Sequence, residues 1–371
     1  MNKGLRNAVK KCMNRRILPG LYRREAKRTK VQDDLAVFVS AHGGTLSANQ
    51  RIMRKAMQRA GFRTLTFCRE VDDMRPDALW KYLKRFIRAY ASCRFLFLDS
   101  YFLPVSSCRK RKETTVIQLW HSGGLLKKMG YDTAEDLSGL PAGFTDNYDL
   151  VTVSAPSLEH VWEKALGLRP GTAEALGLPR TDRYFSSKWK DRMRERFYAE
   201  HPETEGKKVA VYAPSFSGHA THPDSKGRDG ARQAAEALKE EWAFVFSPHP
   251  LTRSLYPERE MALETEELLP VADLLITDYS SVAYDAMLMG IPVLFFCPDI
   301  EMYRRDRGFY LDPAALPCGF AETPEEMIRI MQCGEWKTPP ETLKCVTEKY
   351  MSACDGHAAE RIIRRIKYTD K

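Results

Sequence analysis

The chain has 371 residues, more than a single hydrophobic core usually serves, so two domains are expected. Hydrophobic residues at 43% and charged residues at 29% exclude wholesale disorder, collagen-like repetition and a polytopic membrane protein. The net charge of +9 sits almost wholly in residues 1–30, which hold eleven Lys and Arg against one acid, while the other 341 residues balance 47 bases against 48 acids.

Residues 1–18 place Leu5, Ala8, Val9, Cys12, Met13 and Ile17 at helical spacing, with Lys3, Arg6, Lys10, Lys11, Arg15 and Arg16 filling the other face, until Pro19-Gly20 ends the pattern. Such a basic amphipathic helix is suited to an anionic membrane surface, where each Lys or Arg gains about 1 kcal/mol. A solvated arm, or a helix docked on its own domain, is the competing reading. No aromatic residues interleave the charges, so nucleic acid is not expected as a partner.

From residue 35 the pattern becomes strand, loop, helix, repeated. Apolar strands are predicted at 35–39, 63–67, 95–98, 115–119 and 150–153, with helices at 49–60 and 76–90. A charged helix at 187–200 and a polar stretch at 201–208 form a linker, after which strands recur at 209–212, 244–246, 274–277 and 293–296. Strands alternating with helices predict mainly parallel sheets covered on both faces, so the fold class is α/β with two doubly wound lobes. The expected division is a basic membrane-surface arm at 1–30, an N-terminal lobe at 31–183, a C-terminal lobe at 184–345 and a C-terminal helix at 346–371. Within the last, residues 358–367 carry Ile362, Ile363 and Ile366 on one side, as a packed closing helix would; a second membrane contact is the alternative.

The nine cysteines are odd in number and contain no C-x-x-C pair, which fits reduced thiols in a cytosolic protein. The apolar runs at 95–98 and 292–297 fall short of a membrane span, and the basic start lacks the apolar stretch of a signal peptide. A peripheral location at the cytoplasmic face of the cell membrane is expected.

In doubly wound sheets ligands bind beyond the carboxyl ends of the strands. Four strand ends supply the candidates: His121, Ser122, Gly123, Gly124 and Leu125 after the first lobe's fourth strand; Ser215 and Phe216; Ser247, Pro248 and His249; and Ser280 and Ser281, with Asp285 one helical turn deeper. These turns are expected to converge on one cleft. A strand turning into a helix through two serines offers backbone N–H groups and hydroxyls to a phosphate. The alternative is a plain N-cap with Asp285 as a buried, paired acid. A neutral His121 before a Gly-Gly turn is suited to taking a proton from an alcohol, though a satisfied structural histidine reads the same way; His249 carries the same two readings. No Asp-x-Asp pair follows an apolar strand and no His/Cys cluster has metal spacing, so neither a metal nor a cofactor is expected.

The run from Gln118 through Trp120-His121-Ser122-Gly123-Gly124 to Gly130, together with Leu178-Pro179-Arg180-Thr181-Asp182, Tyr212-Ala213-Pro214-Ser215-Phe216, His249-Pro250 and Thr277-Asp278-Tyr279-Ser280-Ser281 through Asp285, resembles in this order the CDP-glycerol glycerophosphotransferase family of teichoic acid synthesis. The similarity continues through 292–296, Tyr303 and Arg307-Gly308-Phe309-Tyr310, and covers roughly residues 35–315. The resemblance implies a GT-B type fold, two Rossmann-like lobes with a cleft between them. It implies CDP-glycerol as donor substrate and a lipid-linked polyprenyl or glycolipid acceptor, with CMP released. By resemblance His121 is the general base, His249 contacts the donor phosphate, Ser280, Ser281 and Asp285 bind the donor, and Ser215, Phe216 and Arg180 are further donor contacts.

The sequence departs from the family where His-Gly-Thr-Pro is usual and His121-Ser122-Gly123-Gly124 stands instead, and where Ser215-Phe216 replaces the usual Thr-Trp. These departures bear on the acceptor and the polyol. CDP-ribitol or a nucleotide sugar is the rival donor, and a catalytically silent membrane-surface protein the rival from another class.

Overall fold

The computed structural model describes residues 12–40, 44–69, 74–133, 143–215, 217–219, 222–224, 226–249, 252, 255–256 and 263–367. The chain divides into two compact units: Met1–His121, Gly130–Asp182 and Ala353–Lys371 make the first, Ser122–Met129 and Arg183–Ser352 the second. The expected division needs correction on two points. The segment after His121 belongs to the second unit, and the end of the chain returns to the first. Backbone pairing and apolar burial decide both, and neither leaves a local pattern in the sequence.

In the first unit a π-helical turn at Met13–Ile17 runs straight into α1 (Leu18–Arg28). Pro19-Gly20 therefore does not end the helix. Proline is tolerated in a first turn, where its missing N–H forfeits little, and the wide turn before it accommodates the ring. Leu18 and Tyr22 are 2% exposed; the Tyr22 ring lies 4.9 Å from that of Tyr90, and its hydroxyl accepts from the Arg111 N–H at 3.1 Å. Residues 18–28 of the expected arm are thus docked on their own unit. Arg15 and Arg16 are exposed, while Lys3, Arg6, Lys10 and Lys11 lie outside the described residues.

β1 (Gln32–Ser40), β2 (Arg63–Cys68), β3 (Cys93–Leu98), β4 (Thr115–Gln118), β5 (Leu150–Thr152) and β6 (Ala173–Glu174) form one parallel sheet in the order β2-β1-β3-β4-β5-β6. Phe38 and Phe97, opposite each other in register, stack at 4.6 Å. α2 (Ala48–Arg59) starts at Ser47, whose hydroxyl accepts from the Gln50 N–H. α3 (Pro76–Ser92) buries Leu83, Phe86, Ile87 and Tyr90, the i, i+3, i+4, i+7 stripe of a helix lying on a core.

The second unit opens with α4 (Ser187–Glu200) and then repeats the plan. β7 (Lys208–Tyr212) is followed by a small antiparallel hairpin, β8 (Ser217–His219) and β9 (His222–Asp224), then by α5 (Arg228–Ala237) and β10 (Trp242–Phe246). With β11 (Leu274–Thr277), β12 (Val293–Phe296) and β13 (Gly319–Ala321) the parallel sheet runs β10-β7-β11-β12-β13. α6 (Val282–Leu288) leaves the end of β11, and α7 (Pro324–Cys333) packs with α5 over Tyr212, Ile276, Leu294 and Phe296. Counted along its own strands, each sheet places its second strand outside its first and its third on the other side. Each therefore has a topological switch point beside its first strand, where doubly wound folds bind ligands.

α8 (Ala358–Lys367) closes the chain in the first unit, with Ile362 and Ile366 at 0% and 2% exposure among Phe38, Met53 and Phe97. Asp182 accepts from the N–H groups of Ala358 and Ala359, both at 2.9 Å.

Candidate active site

β4 ends at Gln118, and the chain turns sharply through Leu119, Trp120 and His121. Trp120 has φ +52°, the left-handed region that a bulky residue adopts only under constraint. The constraint is visible. The fully buried Gln118 side chain accepts from the Trp120 N–H at 3.0 Å and donates to the Ser100 carbonyl at 3.1 Å. The Asn49 amide donates to the Trp120 carbonyl at 2.9 Å, and the Trp120 ring is wedged edge-on against Tyr101 and Trp162.

His121 then lies exposed on this support, its ring stacked on Trp120 at 5.0 Å and 17°. Its Nδ1 is 3.1 Å from the Asp99 carbonyl at the end of β3. A carbonyl only accepts, so Nδ1 carries the proton, and in the neutral ring Nε2 keeps its lone pair. Arg180, expected at a donor contact, is 3% exposed; its Nη1 donates to the His121 carbonyl at 3.1 Å, and its own backbone N–H donates to Asn49 Oδ1 at 2.8 Å.

The other candidates belong to the second unit. Ser122, Gly123, Gly124 and Leu125 lie in a segment that pairs with 308–310: Lys128 N–H to the Gly308 carbonyl at 3.1 Å and Tyr310 N–H to the Leu126 carbonyl at 2.7 Å. Gly308-Phe309-Tyr310, the tail of the sequence signature, is thus the dock for the loop that follows His121. The Tyr284 hydroxyl donates to the Leu125 carbonyl at 2.9 Å. Gly124 has φ +62°, and a Cβ there would sit 2.2 Å from the Tyr284 ring, so this turn admits only glycine.

At the switch point of the second sheet, Asp278 ties two loops together. It accepts from the Ser215 N–H at 2.8 Å and from the Ser215 hydroxyl at 2.7 Å. Burial pushes its carboxyl above the ordinary value, against the pull of Lys127 and of the Ser215 hydroxyl and N–H. Ser281 is the N-cap of α6, yet its side chain makes no cap bond. A cap bond is ordinarily worth about 1 kcal/mol; here the Ala283 and Tyr284 N–H groups are met instead by the Ser280 and Ser281 carbonyls, at 3.3 and 3.0 Å. Ser280 and Ser281 are half-buried, with the Val282 N–H 3.4 Å from Ser280 Oγ.

Asp285 departs from the expected ligand contact. It is 1% exposed and accepts from the Tyr184 hydroxyl at 2.9 Å, because the i+4 position turns into the core rather than along the surface. Ser247 is also largely occupied, its hydroxyl 2.8 Å from that of Thr265. Pro248 and the half-buried His249 follow, the His249 carbonyl accepting from the Thr252 N–H at 2.8 Å. Phe216 lies outside the described residues.

His121 and Arg180 are thus joined in the first unit and Ser215 to Asp278 in the second. Sequence reasoning gave no role to Asn49, Gln118, Asp99, Asp278 or Tyr284. Gln118 carried one usable signal, a polar residue at a strand end set among apolar neighbours. Among the described residues no group of three or more His, Cys, Asp or Glu is arranged to hold a metal ion, and no helix is long and apolar enough to cross a membrane.

Residues 21–368 match the family model described as CDP-glycerol:poly(glycerophosphate) glycerophosphotransferase. The chain is 32% identical over 299 residues to the teichoic acid poly(ribitol-phosphate) polymerase of Bacillus spizizenii, covering 75% of this chain and 47% of that one, so it spans about half of that relative. To the teichoic acid ribitol-phosphate primase of the same organism it is 29% identical, with 90% of each chain covered. Among solved structures it is similar to the wall teichoic acid polymerase TagF, at TM-score 0.74 and 19% identity over 100% of this chain and 98% of that chain; TagF has also been solved after a CDPG soak. The fold is of GT-B type, two Rossmann-like lobes.

Proposed function

Because the chain belongs to the CDP-glycerol:poly(glycerophosphate) glycerophosphotransferase family, an enzyme family of teichoic acid synthesis, we propose that it transfers glycerol phosphate from CDP-glycerol to a hydroxyl of a membrane-linked acceptor. The observation that carries this reading is the setting of His121, an exposed ring whose Nδ1 lies 3.1 Å from the Asp99 carbonyl, which favours the Nδ1–H tautomer with Nε2 as the base. The acceptor hydroxyl gives its proton to Nε2 while its oxygen attacks the β-phosphorus, the bond to the CMP oxygen breaks, and CMP leaves. His249 and the Ser280-Ser281 helix end hold the pyrophosphate charge. Stabilising that charge supplies most of the rate in phosphoryl transfer.

A second reading, CDP-ribitol as donor, is favoured by the ribitol-phosphate polymerase and primase among the relatives. Release of CMP from CDP-glycerol, CDP-ribitol and a UDP-sugar, each with a lipid-linked acceptor mixture, tests both. Release from neither CDP-polyol overturns the proposal.

Peripheral attachment to the cytoplasmic face of an anionic membrane belongs to the same reading, supported by the charge of residues 1–30 and the exposed Arg15 and Arg16. A chain beginning at Leu18 keeps the docked α1 and should lose binding to anionic vesicles. Salt-insensitive binding by the full chain would show that the arm is not the anchor.

A further inference from the structure

Both carbonyls flanking the Cα of His121 are held by side chains buried in the first unit. Asn49, 2% exposed, donates to the Trp120 carbonyl, which is the peptide entering His121; Arg180, 3% exposed, donates to the His121 carbonyl, which is the peptide leaving it. Asn49 Oδ1 accepts from the Arg180 N–H, so the clamp closes on itself. The two residues come from α2 and from the stretch after β6, and Asn49 reaches Trp120 and Arg180 across 71 and 131 positions in sequence. The amide of Asn49 is thus used at both ends, on a backbone turned through a left-handed tryptophan. A stacked ring and one Nδ1 bond fix the imidazole plane; the clamp fixes where that plane starts.

We propose that Asn49 and Arg180 are positioning residues for His121, holding the peptide on either side of it so that Nε2 points at the acceptor hydroxyl. This rests on the reading of His121 as the base. It assigns Arg180 to the base rather than to a donor contact, and gives Asn49 a role beyond opening a helix.

The test is a double-mutant cycle on the full chain, read by CMP release from whichever of CDP-glycerol and CDP-ribitol it turns over, with calorimetry of that donor alongside. Asn49→Ala should lower kcat by about 10²-fold, the scale of a misplacement near 1 Å, with donor KM and Kd within about twofold. In the His121→Ala background the same substitution should cost nothing further. An undiminished loss in that background, or a weakened donor Kd, overturns the proposal for Asn49.

Arg180→Met keeps the backbone bond to Asn49 and removes only the guanidinium, so it decides the matter if Asn49→Ala fails to fold. It should lower kcat and leave donor Kd unchanged; a raised Kd with kcat intact makes Arg180 a donor contact. The ¹⁵N shifts of the His121 ring give an independent reading, since loss of the clamp should mix the tautomers. Wild-type turnover by His121→Ala would instead remove the base reading, and this proposal with it.

Discussion

The two sheets share one topology but equip their carboxyl ends in opposite ways. In the first unit the strand ends contribute backbone: a left-handed Trp120 and carbonyls at Asp99, Trp120 and His121, each held by or holding a neutral or cationic group. In the second they contribute small hydroxyls and a helix start, organised by one carboxylate, Asp278, bridging the loops after β7 and β11. The first arrangement sets the direction of a single ring. The second ties the Ser215 loop to the turn that opens α6. One fold repeated twice can therefore carry two differently equipped sets of strand ends, because the switch point is fixed by the sheet while its loops are free to differ.

The sharpest way to break this division is His121→Ala, which should lower turnover by about 10²–10⁴-fold while donor affinity, read by calorimetry, stays near wild type. A parallel loss of donor affinity would show that the two sets of strand ends do not act separately. Next in size, Ser281→Ala or His249→Ala should weaken donor binding roughly ten- to a hundredfold, the scale of a charge-assisted hydrogen bond. An effect on kcat alone would move those residues to the other side.

Much of this plan is legible in the sequence. The strands at 274–277 and 293–296 and the helices at 187–200 and 358–367 fall where the pattern puts them, because buried parallel strands read as unbroken apolar runs and the helices carry a 3.6 period. The strands at 173–174 and 319–321 are too short to leave a pattern. The site was legible only as strand ends. Asn49 acts on Trp120 and Arg180 across 71 and 131 positions, distances at which no local spacing speaks. Asp285 shows the converse, a correct helical offset whose face points inward.

Gly124→Ala tests the second unit's hold on the loop after His121. The methyl would meet the Tyr284 ring from a left-handed backbone, a strain of about 1–3 kcal/mol, which should appear as a lower thermal midpoint together with reduced turnover. Unchanged stability would show that the loop is not docked as described. The smallest effect concerns pH. Since burial raises the Asp278 carboxyl, the folded state binds that proton more tightly than the unfolded chain does. Its contribution is therefore complete below the ordinary carboxylate value and is lost as pH rises through the folded one. Asp278→Asn should flatten the fall in thermal midpoint from about pH 4 upward, and an identical slope in the variant would count against it.

The return of α8 to the first unit has an effect on biosynthesis. Ile362 and Ile366 fill that core, each worth about 1.5–3 kcal/mol on burial, yet they leave the ribosome after every strand of both sheets has been made. The His121-bearing unit therefore cannot complete its core until residues following both sheets have been made. Removing α8 would open a core whose members Phe38, Met53 and Phe97 lie more than two hundred positions upstream.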